Sequence, residues 1–213
     1  MPAGERLGLF GGTFDPVHIG HLVVAGDVVE GLGLDRLLVV PAGRPPHRDA
    51  VLPAAVRLDL VRRAFDGDPR VEVSDVEVRR DGPSYTVDTL AWIRETRAPE
   101  ALYLVLGVDQ LRTLSSWHEP LRLRELAEII VMTRGGERPV VSVADGVEVH
   151  TLPVTRVDLS ATRIRERLGR GLTVRYLVPE SVRDRLERAW SASAVQSAEV
   201  PEDRGNDATR HVY

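Results

Sequence analysis

Short apolar runs alternate with longer amphipathic ones along this chain. Arg6 to Phe10, Leu37 to Pro41, Ala101 to Leu106 and Ala127 to Thr133 are nearly continuous apolar stretches bounded by Gly, Pro or polar residues. Such runs predict strands buried on both faces. Val71 to Val78 alternates apolar and polar residues, and Val147 to Leu152 is a further strand candidate. Between them, Ile19 to Glu30, Ala54 to Phe65, Thr86 to Arg97, Asp109 to Leu114, Ser160 to Leu168 and Glu180 to Trp190 read as helices. Val56, Leu60, Val61 and Ala64 illustrate the helical spacing, and Gly31-Leu32-Gly33 is a helix stop. Strands alternating with helices predict right-handed crossovers and a doubly wound parallel α/β sheet. Ligands of such sheets sit at the carboxyl ends of the strands. No linker or repeat divides residues 1–190, which are expected to form a single domain; the polar, aperiodic 191–213 is expected to be a disordered tail.

The stretch from Leu9 to His21 (LFGGTFDPVHIGH) carries the densest chemistry. A strand, two glycines and a helix start follow one another. Gly11 and Gly12 are expected to end the strand, turn the chain and let a ligand approach the backbone. The helix N-terminus favours an anion. His18 and His21 are three apart and share a face of the first turn, with Gly20 adding no side chain between them. Two imidazole donors there suit phosphate oxygens whose charge changes during a reaction.

Composition narrows that chemistry. The 213 residues contain no Cys and no Lys, so all 28 basic residues are Arg. This excludes thiolate nucleophiles, disulfides, lysyl-nucleotide intermediates, Schiff bases and the P-loop lysine. Phosphate must be handled by Arg, His and backbone. A net charge of −4 offers no electrostatic case for nucleic acid. No run approaches a membrane span and the N-terminus carries no apolar leader, so a cytoplasmic location is expected. Homo-oligomerisation is left open.

Further candidates follow strands. Ser160 opens a helix whose first turns carry Arg163, Arg165 and Arg167. Cations there oppose the helix dipole, a cost that a bound polyphosphate reverses; a solvated basic face is the alternative. Trp117, after the Gly107 loop, is either core or a stacking platform for a planar ring. In Ser84-Tyr85-Thr86, Thr86 is either an N-cap or part of a helix N-terminus that holds a substrate carboxylate. Arg44, Arg48 and Arg134 matter only if they face the pocket, and Pro45-Pro46 stiffens the approach to Arg48. A metal on His18 and His21 needs a third ligand, for which Asp15 and His47 are the candidates. An octahedral Mg²⁺ is more often carried by substrate phosphates, so no protein-held metal is expected.

Taken together, GGTFDPVHIGH, RPPHR, GPSYTVDTL, LGVDQL with Trp117, VMTRGG, LSATRIRERL and YLVPESV resemble, in this order, the motifs of bacterial nicotinate mononucleotide adenylyltransferases, within the superfamily marked by histidine-x-glycine-histidine. The resemblance covers Leu7 to about Leu186. It implies a Rossmann-like fold and transfer of AMP from ATP to nicotinate mononucleotide, giving deamido-NAD and pyrophosphate, with Mg²⁺ riding on the triphosphate. It further implies that Gly11, Gly12, Thr13 and Phe14 line the ATP site and that His18 and His21 contact its phosphates. Ser160 and Arg165 correspond to a second phosphate-binding motif. Arg48 stands where the family usually has lysine near the reacting phosphates. Thr86 and Trp117 flank the nicotinate ring, Asp109 lies near a ribose, and Arg134 is a nucleotide contact. A second departure is Ala161, where the family commonly has a hydroxyl.

With no lysine or cysteine nucleophile, direct in-line attack is the simplest mechanism, with His18, His21 and Arg165 as its catalytic residues. Other readings stay open: a different acceptor such as nicotinamide mononucleotide, phosphopantetheine or a sugar phosphate, a non-catalytic ATP sensor, or a metal-dependent hydrolase using the two histidines.

Overall fold

The computed structural model describes residues 4–46, 49–134 and 149–198. Six strands form one sheet: β1 (Arg6–Gly12), β2 (Arg36–Pro41), β3 (Val71–Val73), β4 (Ala101–Gly107), β5 (Glu128–Arg134) and β6 (Val149–Val154). Their order is β3-β2-β1-β4-β5-β6 and every pairing is parallel. The chain winds outward from β1 to β3, then returns to place β4 against the other side of β1. That reversal leaves a crevice at the carboxyl ends of β1 and β4, where ligands of open α/β sheets bind.

Helices α1 (Ile19–Leu32), α2 (Ala54–Phe65), α3 (Val76–Arg79), α4 (Thr86–Arg97), α5 (Val108–Arg112), α6 (Pro120–Leu126), α7 (Ala161–Gly169) and α8 (Glu180–Ala198) complete the described chain. The strands bury alternate residues into two cores. Phe10, Val39, Tyr103 and Ile130 pack against α1, α2 and α8 through Val28, Val61 and Leu186. Leu7, Leu9, Leu38, Leu104 and Val131 pack on the other face against α4 and α6 through Leu90, Ile93 and Leu123. Burial on both faces explains why these strands read as unbroken apolar runs. Gly8 is closely packed: a Cβ there would lie 2.6 Å from a methyl of Leu34, which would have to shift.

Three expectations change and one helix is added. The alternation from Val71 to Val78 yields a strand only to Val73. Ser74 donates its N–H to the Val39 carbonyl, its hydroxyl then accepts the Val76 N–H, and one helical turn follows. Helix α6 was not foreseen; Pro120 at its start supplies the signal. The two glycines do not end β1: Gly11 pairs with Val40 and Gly12 with Pro41. Finally, α8 runs to Ala198, beyond the tail boundary expected at residue 191. Once a packed helix is nucleated, an alanine-containing continuation extends it at little cost. Residues 199–213 lie outside the described residues.

Candidate active site

The crevice holds a cavity of about 360 Å³. Gly11, Gly12 and Thr13 form its floor at the end of β1, and Leu104 and Leu106 come from β4. The loop after β2 contributes Ala42, Pro45 and Pro46. Glu77, the Ser84–Thr86 segment and Asp109, Gln110, Thr113, Trp117 and His118 complete the wall. Gly11 acts by absence: a Cβ there meets nothing within 4 Å, so the backbone stays open to a ligand. The turn falls at Phe14, whose φ is 48°. Its ring is 3% exposed and edge-on to Phe10 and to His21, at 5.6 and 5.0 Å between centroids. Phe14 thus supports the loop from beneath, with its side chain outside the cavity lining.

The two histidines lie on the other limb of this loop. His18 is the N-cap residue of α1, in extended conformation, and so precedes the first turn. Its N–H donates to Nδ1 of His21 at 3.1 Å, and the two rings stack at 3.8 Å between centroids. A ring nitrogen that accepts carries no proton, so the neutral His21 ring keeps its proton on Nε2. Burial, and secondarily the charge of His18, holds the His21 pKa well below the usual histidine value. At neutral pH, His21 is therefore an uncharged donor through Nε2. Gly20 leaves room for the segment before α7: its Cβ would sit 3.1 Å from the His18 ring and 3.6 Å from Val157.

Arg165 reaches this loop from α7. Its Nη1 donates to the Asp15 carbonyl at 2.6 Å and lies 3.9 Å from the Asp15 carboxylate, while Nη2 donates to Thr162 Oγ1 at 3.1 Å. The other two arginines point elsewhere, because successive odd positions diverge around a helix. Arg167 donates to the Thr173 carbonyl at 2.9 Å and Arg163 is exposed. Ser160 is an ordinary N-cap, its hydroxyl accepting the Arg163 N–H at 3.2 Å. Asp15 is committed to the fold: its carboxylate accepts the N–H groups of Val51 and Leu52 at 2.7 and 3.0 Å.

On the acceptor side, Thr86 is the first residue of α4 and not its cap. Tyr85 holds the N-cap position and no side chain caps the helix. That leaves the first-turn N–H groups of α4 without a side-chain cap where Thr86 lines the cavity. Trp117 is half-buried against the α4 core and lines the cavity, with Nε1 donating to Thr113 Oγ1 at 3.3 Å. Asp109 is at the rim, 95% exposed and paired with Arg112 at 3.2 Å. Arg48 lies outside the described residues, as does the side chain of Arg134 at the end of β5.

Several wall residues escaped sequence reasoning. Tyr85 and His118 stack at 4.3 Å between centroids; their adjacency to Thr86 and Trp117 was the available signal. Arg57 had none. It is 1% exposed and donates to the carbonyls of Thr13, Ala42, Gly43 and Leu52 at 2.6–3.0 Å, pinning the ends of β1 and β2 together. Burial lowers its pKa, opposed by Asp15, but a guanidinium stays charged. Among the described residues, no three His, Asp or Glu side chains gather to hold a metal ion, and no helix is long and apolar enough to cross a membrane.

The cytidylyltransferase-like family model matches residues 9–167. A curated relative from Thermomicrobium roseum, named probable nicotinate-nucleotide adenylyltransferase, is 42% identical over 192 residues, covering 86% of this chain and 90% of its own. One of the same name from Thermus thermophilus is 43% identical, covering 86% and 97%. Among solved structures, Plasmodium falciparum nicotinic acid mononucleotide adenylyltransferase complexed with NaAD shares the fold with a TM-score of 0.66 at 17% identity, over 86% of this chain and 95% of that one. The parallel sheet, its crevice and these similarities agree: the chain belongs to the cytidylyltransferase-like family, among its nicotinate-nucleotide adenylyltransferases.

Proposed function

We propose that this protein transfers AMP from ATP to nicotinate mononucleotide, releasing pyrophosphate and forming deamido-NAD. One observation carries the reading. The loop that bears the stacked histidines also forms, through Gly11 to Thr13, the floor of a cavity walled by Trp117 and the uncapped N-terminus of α4. A nucleotide phosphate donor and a planar acceptor with an anionic substituent fit the two sides of that loop.

In this reading Gly11, Gly12, Thr13 and the backbone of Phe14 bind ATP together with His18, His21, Ser160 and Arg165. Trp117 stacks on the nicotinate ring, while Thr86 and the first N–H groups of α4 receive its carboxylate. Asp109 approaches a ribose; Arg48 is assigned to the reacting phosphates and Arg134 to a nucleotide contact. The acceptor phosphate is already anionic at neutral pH, so no general base is needed. Its oxygen attacks the α-phosphorus of ATP in line as the bond to pyrophosphate breaks. His21, donating from Nε2, together with His18 and Arg165, stabilises the charge that moves to the leaving group. Mg²⁺ is assigned to the triphosphate, because Asp15 already spends its carboxylate on Val51 and Leu52.

The test is pyrophosphate release with ATP and Mg²⁺, comparing nicotinate with nicotinamide mononucleotide. Turnover is expected to favour the nicotinate form. Equal rates would remove the assigned carboxylate contact, and ATP binding without release from either acceptor would point to a sensor.

A further inference from the structure

Helix α1 does more than open with the histidine loop. Gly20, Asp27 and Gly31 recur at helical spacing and lie on one stripe of its surface. The chain that leaves β6 meets this stripe in reverse order. A Cβ on Gly31 would lie 2.7 Å from a methyl of Leu152, and one on Gly20 would lie 3.6 Å from Val157. Between them, the Thr155 N–H donates to Oδ2 of Asp27 at 2.6 Å. Leu152, Thr155 and Val157 therefore run antiparallel to α1, from its last turn to its first.

The lengths agree. From Gly20 to Gly31 a helix rises about 16 Å. From Leu152 to Val157 an extended chain spans about 16 Å as well. The segment is drawn out along α1 with little slack. It turns at its end: the Leu159 N–H donates to the Val157 carbonyl at 2.9 Å, and Ser160 then caps α7. Arg165 follows, with its Nη1 on the Asp15 carbonyl.

The register of this segment needs a fastener. Residues 155–160 form neither helix nor strand. Glycines on the stripe permit close approach but offer no ridge into which a neighbour can lock. Among the described residues, the Asp27 bond is the one hydrogen bond between α1 and this segment. Its acceptor is a carboxylate, and such bonds are roughly twice as strong as neutral ones. Aspartate is also a poor residue for a helix interior. Helix formation gives no reason for it at position 27, whereas the Thr155 amide does.

We propose that Asp27 is a positioning residue for adenylyl transfer: by holding Thr155 against α1, it sets where along that helix α7 begins and so places Arg165 at the histidine loop. The inference rests on the adenylyl-transfer reading, in which Arg165 meets the triphosphate. Asp27 stands about 9 Å along the helix from His21 and acts on ATP only through Arg165.

The test uses the full chain as wild type, Asp27→Ala and Asp27→Asn. Pyrophosphate release is followed while ATP and nicotinate mononucleotide are varied separately, with unfolding temperature as a control. Asp27→Ala is expected to raise the ATP KM about tenfold, the scale of one lost hydrogen bond, and to leave the acceptor KM within about twofold. Asp27→Asn keeps a carbonyl acceptor for the Thr155 N–H and is expected to stay within about threefold of the wild type. In an Arg165→Ala background ATP binding is read by calorimetry. Adding Asp27→Ala there is expected to shift the Kd by less than about twofold, because the two residues act in series. An unchanged ATP KM, an equal rise in both KM values, an Asn variant as poor as the Ala one, or a full further loss without Arg165 would each overturn the proposal. Should Asp27→Ala fail to fold, Thr155→Pro deletes the same bond from the donor side and decides it. A wild-type chain without turnover on nicotinate mononucleotide removes the reaction reading and this inference together. Wild-type turnover with unaltered variants removes the inference alone.

Discussion

The backbone N–H of His18 donates to Nδ1 of His21, and this 3.1 Å bond decides which nitrogen of His21 can act on a ligand. Only Nε2 is left to carry a proton, and burial keeps the ring neutral. Loss of this preorganised donor in His21→Ala is expected to lower kcat by ~10²–10³-fold, and His18→Ala by a similar factor. Single-turnover pyrophosphate release measures this; near-wild-type rates would take the imidazoles out of the reaction.

The same burial makes stability depend on pH. A histidine whose pKa is lowered in the folded state takes up a proton more readily when unfolded. Below about pH 6.5 the unfolded chain then binds the extra proton, so the unfolding free energy decreases as pH falls. Glu77, with its pKa raised, has the opposite sign just above the ordinary carboxylate range. Urea denaturation between pH 7 and 5 should therefore show a smaller acid loss in His21→Asn than in the wild type. Parallel pH profiles for the two proteins would contradict the assignment.

Arg57 is a structural requirement of the site. Arg57→Met fills much of the volume but leaves buried carbonyls of Thr13, Ala42, Gly43 and Leu52 without their donor. A loss of roughly 3 kcal/mol or more in unfolding free energy is expected, since each buried group left unsatisfied costs about 1–3 kcal/mol. Chemical denaturation with a loss below about 1 kcal/mol would show that water replaces the guanidinium.

Arg165 joins α7 to the histidine loop through the Asp15 carbonyl. Lysine keeps the charge but cannot contact that carbonyl and a phosphate with the same fork. In Arg165→Lys, kcat/KM for ATP is expected to drop by ~10²-fold, with the acceptor KM almost unchanged. A defect confined to the acceptor would place Arg165 on the wrong substrate.

Trp117→Ala tests the platform. Stacking of a planar base on an aromatic ring is worth about 1–3 kcal/mol, so the acceptor KM should rise about tenfold or more while the ATP KM stays near the wild-type value. If the ATP KM moves instead, the cavity beside Trp117 receives the adenine.

The strand and helix pattern of this protein was legible in its sequence because strands buried on both faces must be apolar throughout. Leu7 to Phe10, Leu37 to Val40 and Leu102 to Leu106 show it directly. Helices such as Ala54–Phe65 and Thr86–Arg97 show one apolar stripe each, and their bounds follow from it. The histidine pair, the absence of Lys and Cys, and Ser160 as an N-cap are local facts that need no fold. Tertiary structure decided the rest. That Gly11 and Gly12 remain in the sheet depends on their pairing with Val40 and Pro41, far away in the chain. That Arg165 alone of three arginines meets the loop depends on how α7 is set against Asp15, 150 residues earlier. Arg57 and Glu77 look like ordinary charges of a helix and a strand when read in sequence. Arg57 becomes the buried fastener of the cavity floor, and Glu77 a buried acid beside it, only because the fold brings distant segments onto them, and a charge leaves water only where the fold supplies its hydrogen-bond partners.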